Sequence, residues 1–202
     1  MLACHNVSAM EPQCLAGLVA GVAAGAYAMY TCAQGAPKAS TTGFGGKVVT
    51  GYWSIRGLGA PMRMMSAFAG QEVEDKQYSD GDSWFKSDKP QLLKLNALTN
   101  LPYLHDVSAG VVVTQSTGVY QYLGRKLGLM GSTEAETAAV EQVLAQAFDL
   151  RNDLMGQVYP FGAVKTVAEY DKTLPEYMKG ANGHFTKFAA WVSNRTENWA
   201  VH

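Results

Sequence analysis

Residues 47–70 of this 202-residue chain, KVVTGYWSIRGLGAPMRMMSAFAG, decide its fold class. The first part, KVVTGYW (47–53), is a mostly apolar run that predicts a buried strand. The second part, GAPMRMMSAFAG (59–70), predicts a helix with Pro61 in its first turn and Gly70 just past its end. A buried strand followed at once by a helix indicates a mixed α/β domain.

Three further segments extend this pattern toward the C-terminus. EVEDKQYS (72–79) alternates and predicts a second strand. LPYLHD (101–106) and VVVTQS (111–116), joined by the short turn VSAG, predict a hairpin. The predicted order is therefore strand, helix, strand, and then strand, strand, helix.

Helices are predicted for the rest of the chain. One runs from about Ser116 to Leu127 and is ended by Gly128. From Thr133 onward the sequence is predicted to be helical, because Thr133 and Glu136 fit a capping box. An apolar stripe at helical spacing follows, at Val140, Val143, Leu144, Ala147, Leu150, Leu154 and Val158.

Composition and charge exclude several classes of function. The net charge is -1, which gives no indication of a nucleic-acid partner. The three cysteines, Cys4, Cys14 and Cys32, all precede residue 47, so the later part of the chain has no disulfide framework and no Cys-x-x-Cys redox centre. The four histidines lack the spacing of metal ligands, and no metal site is predicted.

Several segments together resemble the cytosolic glutathione transferases, nearest the mu class. They are GYWSIRGL (51–58), NLPYLHD (100–106), TQSTGVYQYLGRKLGL (114–129) and the helical half, and the spacing between them is preserved as well. The resemblance covers about residues 47 to 200. It implies a thioredoxin-like α/β domain at 47–130 followed by an all-α domain at 131–202, with glutathione as a substrate in detoxification chemistry.

Such a transferase needs glutathione as its thiolate, and a free thiol with a pKa of about 8.5 is mostly protonated at neutral pH. The resemblance implies that Tyr52, at the end of the first strand, donates a hydrogen bond to the sulfur. The alternative is a strand tyrosine that only packs. Tyr159 matches a tyrosine that assists the electrophile in mu-like enzymes, although a helix tyrosine is more often a packing residue.

Binding residues for the tripeptide are implied at two further places. Leu101 and Pro102 match the family's loop before the third strand, where a cis proline lets the preceding residue pair with the backbone of glutathione. Gln115 and Ser116 lie where a strand enters a helix, whose free N–H groups suit a carboxylate. The family grips the γ-glutamyl end there, and Ser116 could equally be a helix cap.

The remaining implied positions line the same site. The resemblance places Lys86 or Lys89 at the glycine carboxylate, and Asp149 where it reaches the glutathione of a neighbouring subunit, which requires a homodimer. The other implied lining residues are Trp53, Leu58, Trp84 and Asn100.

An uncharged run precedes this part of the chain. After a flank at 1–13, residues 14–33 contain 20 residues without a charge, enough for a helix of about 30 Å, roughly the thickness of a bilayer core. A single transmembrane helix is predicted here. A cleaved signal peptide and a buried soluble helix are the alternatives, of which the first lacks its positive n-region.

The run also suggests a partner and a location. Gly17, Gly21 and Gly25 recur every four residues, the pattern by which a membrane helix packs on a neighbouring helix. Residues 34–46 are rich in Gly, Ser, Thr and Pro and predict a linker. Lys38 and Lys47 follow the run, so the domain is predicted to be membrane-anchored on the cytoplasm-equivalent side, with a plastid membrane among the candidates.

The sequence ends earlier than the family pattern, so either it is incomplete at this end or the helical domain is shortened. Two functions follow. The first is a membrane-anchored glutathione transferase that conjugates the thiolate to apolar electrophiles. The alternative is a non-catalytic accessory subunit of a larger membrane complex, for example a photosynthetic one, built on a recruited transferase fold.

Overall fold

The computed structural model describes residues 43–159, 162 and 164–194, and these belong to one compact unit. Its strands are β1 (Val48–Trp53), β2 (Glu74–Tyr78), β3 (Tyr103–Asp106) and β4 (Val111–Thr114). They form one sheet in the order β2-β1-β3-β4. β1 and β2 are parallel, whereas β3 is antiparallel to both of its neighbours.

Helices connect and extend this sheet. The described residues form α1 (Ala60–Phe68), α2 (Lys89–Leu93), α3 (Ser116–Lys126), α4 (Glu134–Val158) and α5 (Val167–Ser193). A 3-10 turn at Gly57–Gly59 leads into α1, and a π-helical segment at Ser83–Asp88 leads into α2. The arrangement is a thioredoxin-like α/β part followed by helices, as predicted.

The local predictions are largely confirmed. The hairpin of β3 and β4, the helix after it and the order of the first strands and helix all occur. At the start of α4 the Glu136 N–H donates to the Thr133 hydroxyl over 3.2 Å, which completes the predicted capping box. The segment at 83–93 was not predicted, and neither was the second capping box, between Thr166 and Glu169 at the start of α5.

The sheet has a separate core on each face, because successive side chains of a strand point to opposite sides. One face packs against α1 and α3, through Val48, Tyr52, Leu104, Met62, Val119 and Leu123. The other packs against the 83–93 segment, through Val49, Tyr78, Tyr103, Val112, Trp84 and Leu92. Each fully buried aliphatic side chain contributes about 1.5–3 kcal/mol.

Gly51 allows an aromatic ring to cross the centre of β1. A Cβ atom at this position would lie 2.1 Å from Cε1 of Tyr103, the residue paired with it on β3. That ring stacks on the fully buried Trp84, with ring centroids 5.8 Å apart. Glycine at position 51 is therefore required by the close approach of Tyr103.

The second half consists of α4 and α5, which pack against each other. His184 of α5 joins them, since its ring nitrogens lie 2.8 Å from the Gln146 amide and 3.0 Å from the Asp153 carboxylate. The apolar stripe predicted for α4 is only partly buried. The domain boundary at residue 130 remains a prediction.

The predicted flank, the helix at 14–33 and most of the linker lie outside the described residues. Within residues 43–159, 162 and 164–194, no helix is both long and apolar enough to cross a bilayer. The described end of the linker packs on the domain, where the ring of Phe44 lies 6.3 Å from that of Tyr122.

Candidate active site

Three of the predicted positions meet at one edge of the sheet. Tyr52 lies near the end of β1, and the antiparallel pairing places that end beside the start of β3, where Gly51 pairs with Tyr103. Tyr103 pairs in turn with Thr114, the last residue of β4. The strand register therefore brings together Tyr52, the loop before β3 and the start of α3.

The Tyr52 side chain is buried against the turn that leads into α1. It is 7% exposed, and its ring faces the backbone of Gly57 and Gly59. A Cβ atom at Gly57 would lie 3.0 Å from the Tyr52 hydroxyl oxygen, and one at Gly59 would lie 2.9 Å from Cδ1 of the ring. No larger residue would fit at these two positions without moving the ring.

The loop before β3 has the predicted cis peptide bond between Leu101 and Pro102. Thr114 fixes this loop from the neighbouring strand, since its hydroxyl accepts from the Asn100 N–H over 3.1 Å and donates to the Asn100 carbonyl over 2.9 Å. The sheet ladder begins only at Tyr103, so Leu101 precedes it.

Gln115 has an unusual backbone conformation at the junction of β4 and α3. Its φ is 66° and its ψ is 122°, and it is the only non-glycine residue in the described part of the chain with a positive φ. Such a conformation costs about 1–3 kcal/mol and is typical of functional sites. Gln115 is exposed, and the partly buried Ser116 is the first residue of α3, where helix N–H groups are unpaired.

Aromatic residues and one lysine lie beside this edge. Trp53 is partly buried, and its ring lies 6.1 Å from that of Phe85, which is 54% exposed. The Lys89 ammonium lies 5.4 Å from the centre of the Phe85 ring. Lys86 instead forms an exposed pair with Asp82, with Nζ 2.7 Å from the carboxylate.

The structure places the other predicted residues less directly. Trp84 is fully buried in the core that contains Tyr103, so it contributes packing there. Leu58 is partly buried in the turn below Tyr52. Asp149 is exposed on α4, and Tyr159 is the partly buried residue that ends this helix. The assigned roles of these residues remain predictions.

A buried carboxylate at the opposite end of β3 was not found by sequence analysis. Burial alone would raise the pKa of Asp106, but hydrogen bonds outweigh this effect and lower the pKa to about 2. The donors are Ser108, Tyr122, Lys126 and the Ala109 N–H. Ser108 and Ala109 are neighbours of Asp106 in the turn, but Tyr122 and Lys126 are brought to it by the packing of α3, which the sequence does not specify.

A second missed contact joins distant parts of the chain at the candidate site. The Tyr120 hydroxyl of α3 donates a hydrogen bond of 2.7 Å to the carbonyl of Leu58, which is 62 residues away in sequence. Burial of the Tyr120 hydroxyl, and to a lesser extent its electrostatic interaction with Tyr52, raise the pKa of Tyr120, so that it remains a neutral donor.

Comparison with known proteins identifies the family. The model described as "Glutathione S-transferase, N-terminal domain" matches residues 48–125. Glutathione S-transferase Y1 of Cricetulus longicaudatus is 39% identical over 137 residues, which are 65% of this chain and 62% of that protein. Glutathione S-transferase Mu 6 of Mus musculus is 37% identical over 140 residues, 66% of this chain and 59% of that protein.

Solved structures agree with the sequence relatives. The glutathione S-transferase from Ascaris lumbricoides superposes with a TM-score of 0.62 at 27% sequence identity, covering 78% of this chain and 73% of that one. The glutathione S-transferase of Tyrophagus putrescentiae is 35% identical over 150 residues, which are 73% of this chain and 67% of that protein, so this chain belongs to the glutathione S-transferase family. Mu-class transferases are among its relatives, and it spans 62% and 59% of the length of the first two relatives named above.

These findings correct the predicted localisation. The predicted placement of the protein at a membrane is wrong, because the relatives that match this chain are glutathione transferases. The comparisons likewise do not support the added membrane helix, the helix partner at Gly17, Gly21 and Gly25, or the accessory-subunit alternative.

Proposed function

We propose that this protein binds glutathione at the sheet edge where β1, β3 and β4 meet, and joins the glutathione thiolate to an apolar electrophile. The observation that supports this is the convergence of Tyr52, the cis bond at Leu101–Pro102 and the Gln115–Ser116 junction at that edge. The relatives are named as glutathione transferases, and the substrate is carried over from them.

The tripeptide is proposed to lie across this edge in an extended form. Its backbone pairs with Leu101, which precedes the ladder and is an unused position for strand addition. Its γ-glutamyl carboxylate lies at the start of α3, where unpaired N–H groups and the helix dipole favour a negative charge. Lys89, rather than Lys86, lies on the aromatic side of the site and is proposed to bind the glycine carboxylate.

Tyr52 is proposed to stabilise the thiolate by donating its hydroxyl hydrogen to the sulfur. The thiol proton leaves to solvent, and Tyr52 remains protonated throughout. The thiolate then forms a C–S bond with an electrophilic carbon, and a leaving group such as chloride departs with its electron pair. Each unit by which the thiol pKa falls corresponds to about 1.4 kcal/mol of preference for the anion.

Two further roles belong to this proposal. Tyr159 is proposed to assist the electrophile from the end of α4. Asp149, exposed on the same helix, is proposed to reach the glutathione of a second subunit in a homodimer.

The test is conjugation of glutathione to a chlorinated aromatic substrate, with retention on immobilised glutathione measured in parallel. Tyr52→Phe should keep retention and lose roughly tenfold or more of the rate at neutral pH. The matched control is Tyr177→Phe on α5, which should change neither. Wild-type protein that is retained but gives no turnover would contradict the transferase reaction, and failure of retention would contradict the binding site.

A further inference from the structure

Tyr120 lies where the helical half of the molecule contacts the candidate site. Its side chain is 5% exposed. On one side its ring lies 6.1 Å from the ring of Phe148 on α4. On the other side its hydroxyl donates to the Leu58 carbonyl over 2.7 Å. The hydrogen bond thus links Leu58, in the turn before α1, to the Tyr120 side chain on α3.

The turn that contains Leu58 packs against the Tyr52 side chain. The glycines on either side of Leu58 face the Tyr52 ring so closely that an added Cβ atom at either would lie 2.9 Å from a ring carbon. A shift of the Leu58 peptide unit by a few tenths of an ångström would therefore be transmitted to the ring. Because β1 fixes the Tyr52 backbone, the turn decides where the hydroxyl lies.

We propose that Tyr120 is a positioning residue, which holds the 57–59 turn against Tyr52 through the Leu58 carbonyl and so sets the place of the Tyr52 hydroxyl. This inference rests on the proposed function, because the hydroxyl matters through its contact with the sulfur. Through its ring contact with Tyr120, Phe148 of α4 also helps to hold the Tyr52 side chain on β1 in place.

The expected effect of Tyr120→Phe is a change in the pH dependence of the reaction. The variant leaves the Leu58 carbonyl without the Tyr120 donor, so the turn relaxes to find another. A displaced hydroxyl stabilises the thiolate less well, and the pKa of the bound thiol should rise by about half a unit to one unit. The rate should fall roughly three- to tenfold near pH 6 and approach that of the wild type at high pH.

Tyr122→Phe is the matched control. It lies two residues along the same helix and also loses a partly buried hydroxyl hydrogen bond, of 2.9 Å to Asp106, at the far end of the sheet. A purely structural effect would lower stability in both variants and leave both pH profiles unchanged. The proposal is overturned if the profile of Tyr120→Phe does not move, or if that of Tyr122→Phe moves equally.

A second readout works without glutathione. The NMR signal of the Tyr52 ring, assigned by its loss in Tyr52→Phe, should shift in Tyr120→Phe and stay in place in Tyr122→Phe. If wild-type protein fails to bind glutathione, the proposed function fails, and this signal alone decides on the positioning role. Should Tyr120→Phe not fold, Phe148→Leu should give a smaller shift in the same direction, and an unmoved signal would overturn the proposal.

Discussion

Replacing Asp106 by asparagine should destabilise the protein in a manner that depends on pH. Asp106 ends β3 and its side chain is fully buried. Its oxygens accept hydrogen bonds from the Ser108 hydroxyl (2.8 Å), the Ala109 N–H (3.1 Å) and the Tyr122 hydroxyl (2.9 Å). The Lys126 ammonium lies 3.1 Å away. One carboxylate therefore joins the β3–β4 turn to the end of α3.

The magnitude follows from the pKa of this carboxyl group. Burial acts to raise the pKa, but the four donors outweigh it, and the pKa falls from 3.8 to about 2. At about 1.4 kcal/mol per unit, the ionised form contributes about 2 kcal/mol of stability at neutral pH. Because the folded pKa is the lower one, this contribution is present above about pH 4 and is lost as the pH falls through 2.

Urea unfolding of wild-type and Asp106→Asn protein measures this contribution. The difference in free energy of unfolding should be about 2 kcal/mol near pH 7 and about half of that near pH 3, with the same dependence on urea concentration. Asp82→Asn is the control, since its exposed pair with Lys86 should contribute less than about 1 kcal/mol. A difference that stays constant from pH 7 to pH 3 would refute the assignment.

Three other predictions test the site and the sheet. Gln115→Gly should raise the free energy of unfolding by about 1 kcal/mol, because glycine tolerates the positive φ, and it should also weaken glutathione binding. A lower stability of the variant in calorimetry would contradict the argument that Gln115 is strained. Gly51→Ala should lower the free energy of unfolding by about 3 kcal/mol in chemical denaturation, because the new methyl group meets an aromatic ring. Gly183→Ala on α5, where the added methyl group has open space, should raise the free energy of unfolding by about 1 kcal/mol. Lys89→Met should weaken glutathione binding roughly tenfold in titration calorimetry, whereas Lys86→Met should leave it unchanged. Equal effects of the two substitutions would contradict the proposed contact of Lys89 with the glycine carboxylate.

The sequence predicted the elements whose signals are local. β1 and α1 are identified by an apolar run, an early proline and a terminal glycine, and the start of α4 by its capping box. The cis bond before Pro102 was expected only through the family resemblance, and the positive φ of Gln115 was not predicted, because local chemistry specifies neither.

Other features depend on pairing between distant residues. The segment at 83–93 does carry local signals that the sequence analysis did not use, since Asp80 accepts a hydrogen bond of 2.7 Å from the Ser83 N–H and Pro90 lies in the first turn of α2. The burial of Trp84 follows from which face of the sheet this segment covers. The contact of Tyr120 with Leu58 spans 62 residues, and no periodic pattern predicts such a pair.

The central claim is that one phenolic hydroxyl keeps the sulfur of bound glutathione ionised. It is tested most directly by titrating the thiolate absorbance of bound glutathione in wild-type protein and in Tyr52→Phe. The account predicts a wild-type pKa at least about one unit below the ordinary value near 8.5, and a return toward that value in the variant. The same thiol pKa in both proteins would contradict it.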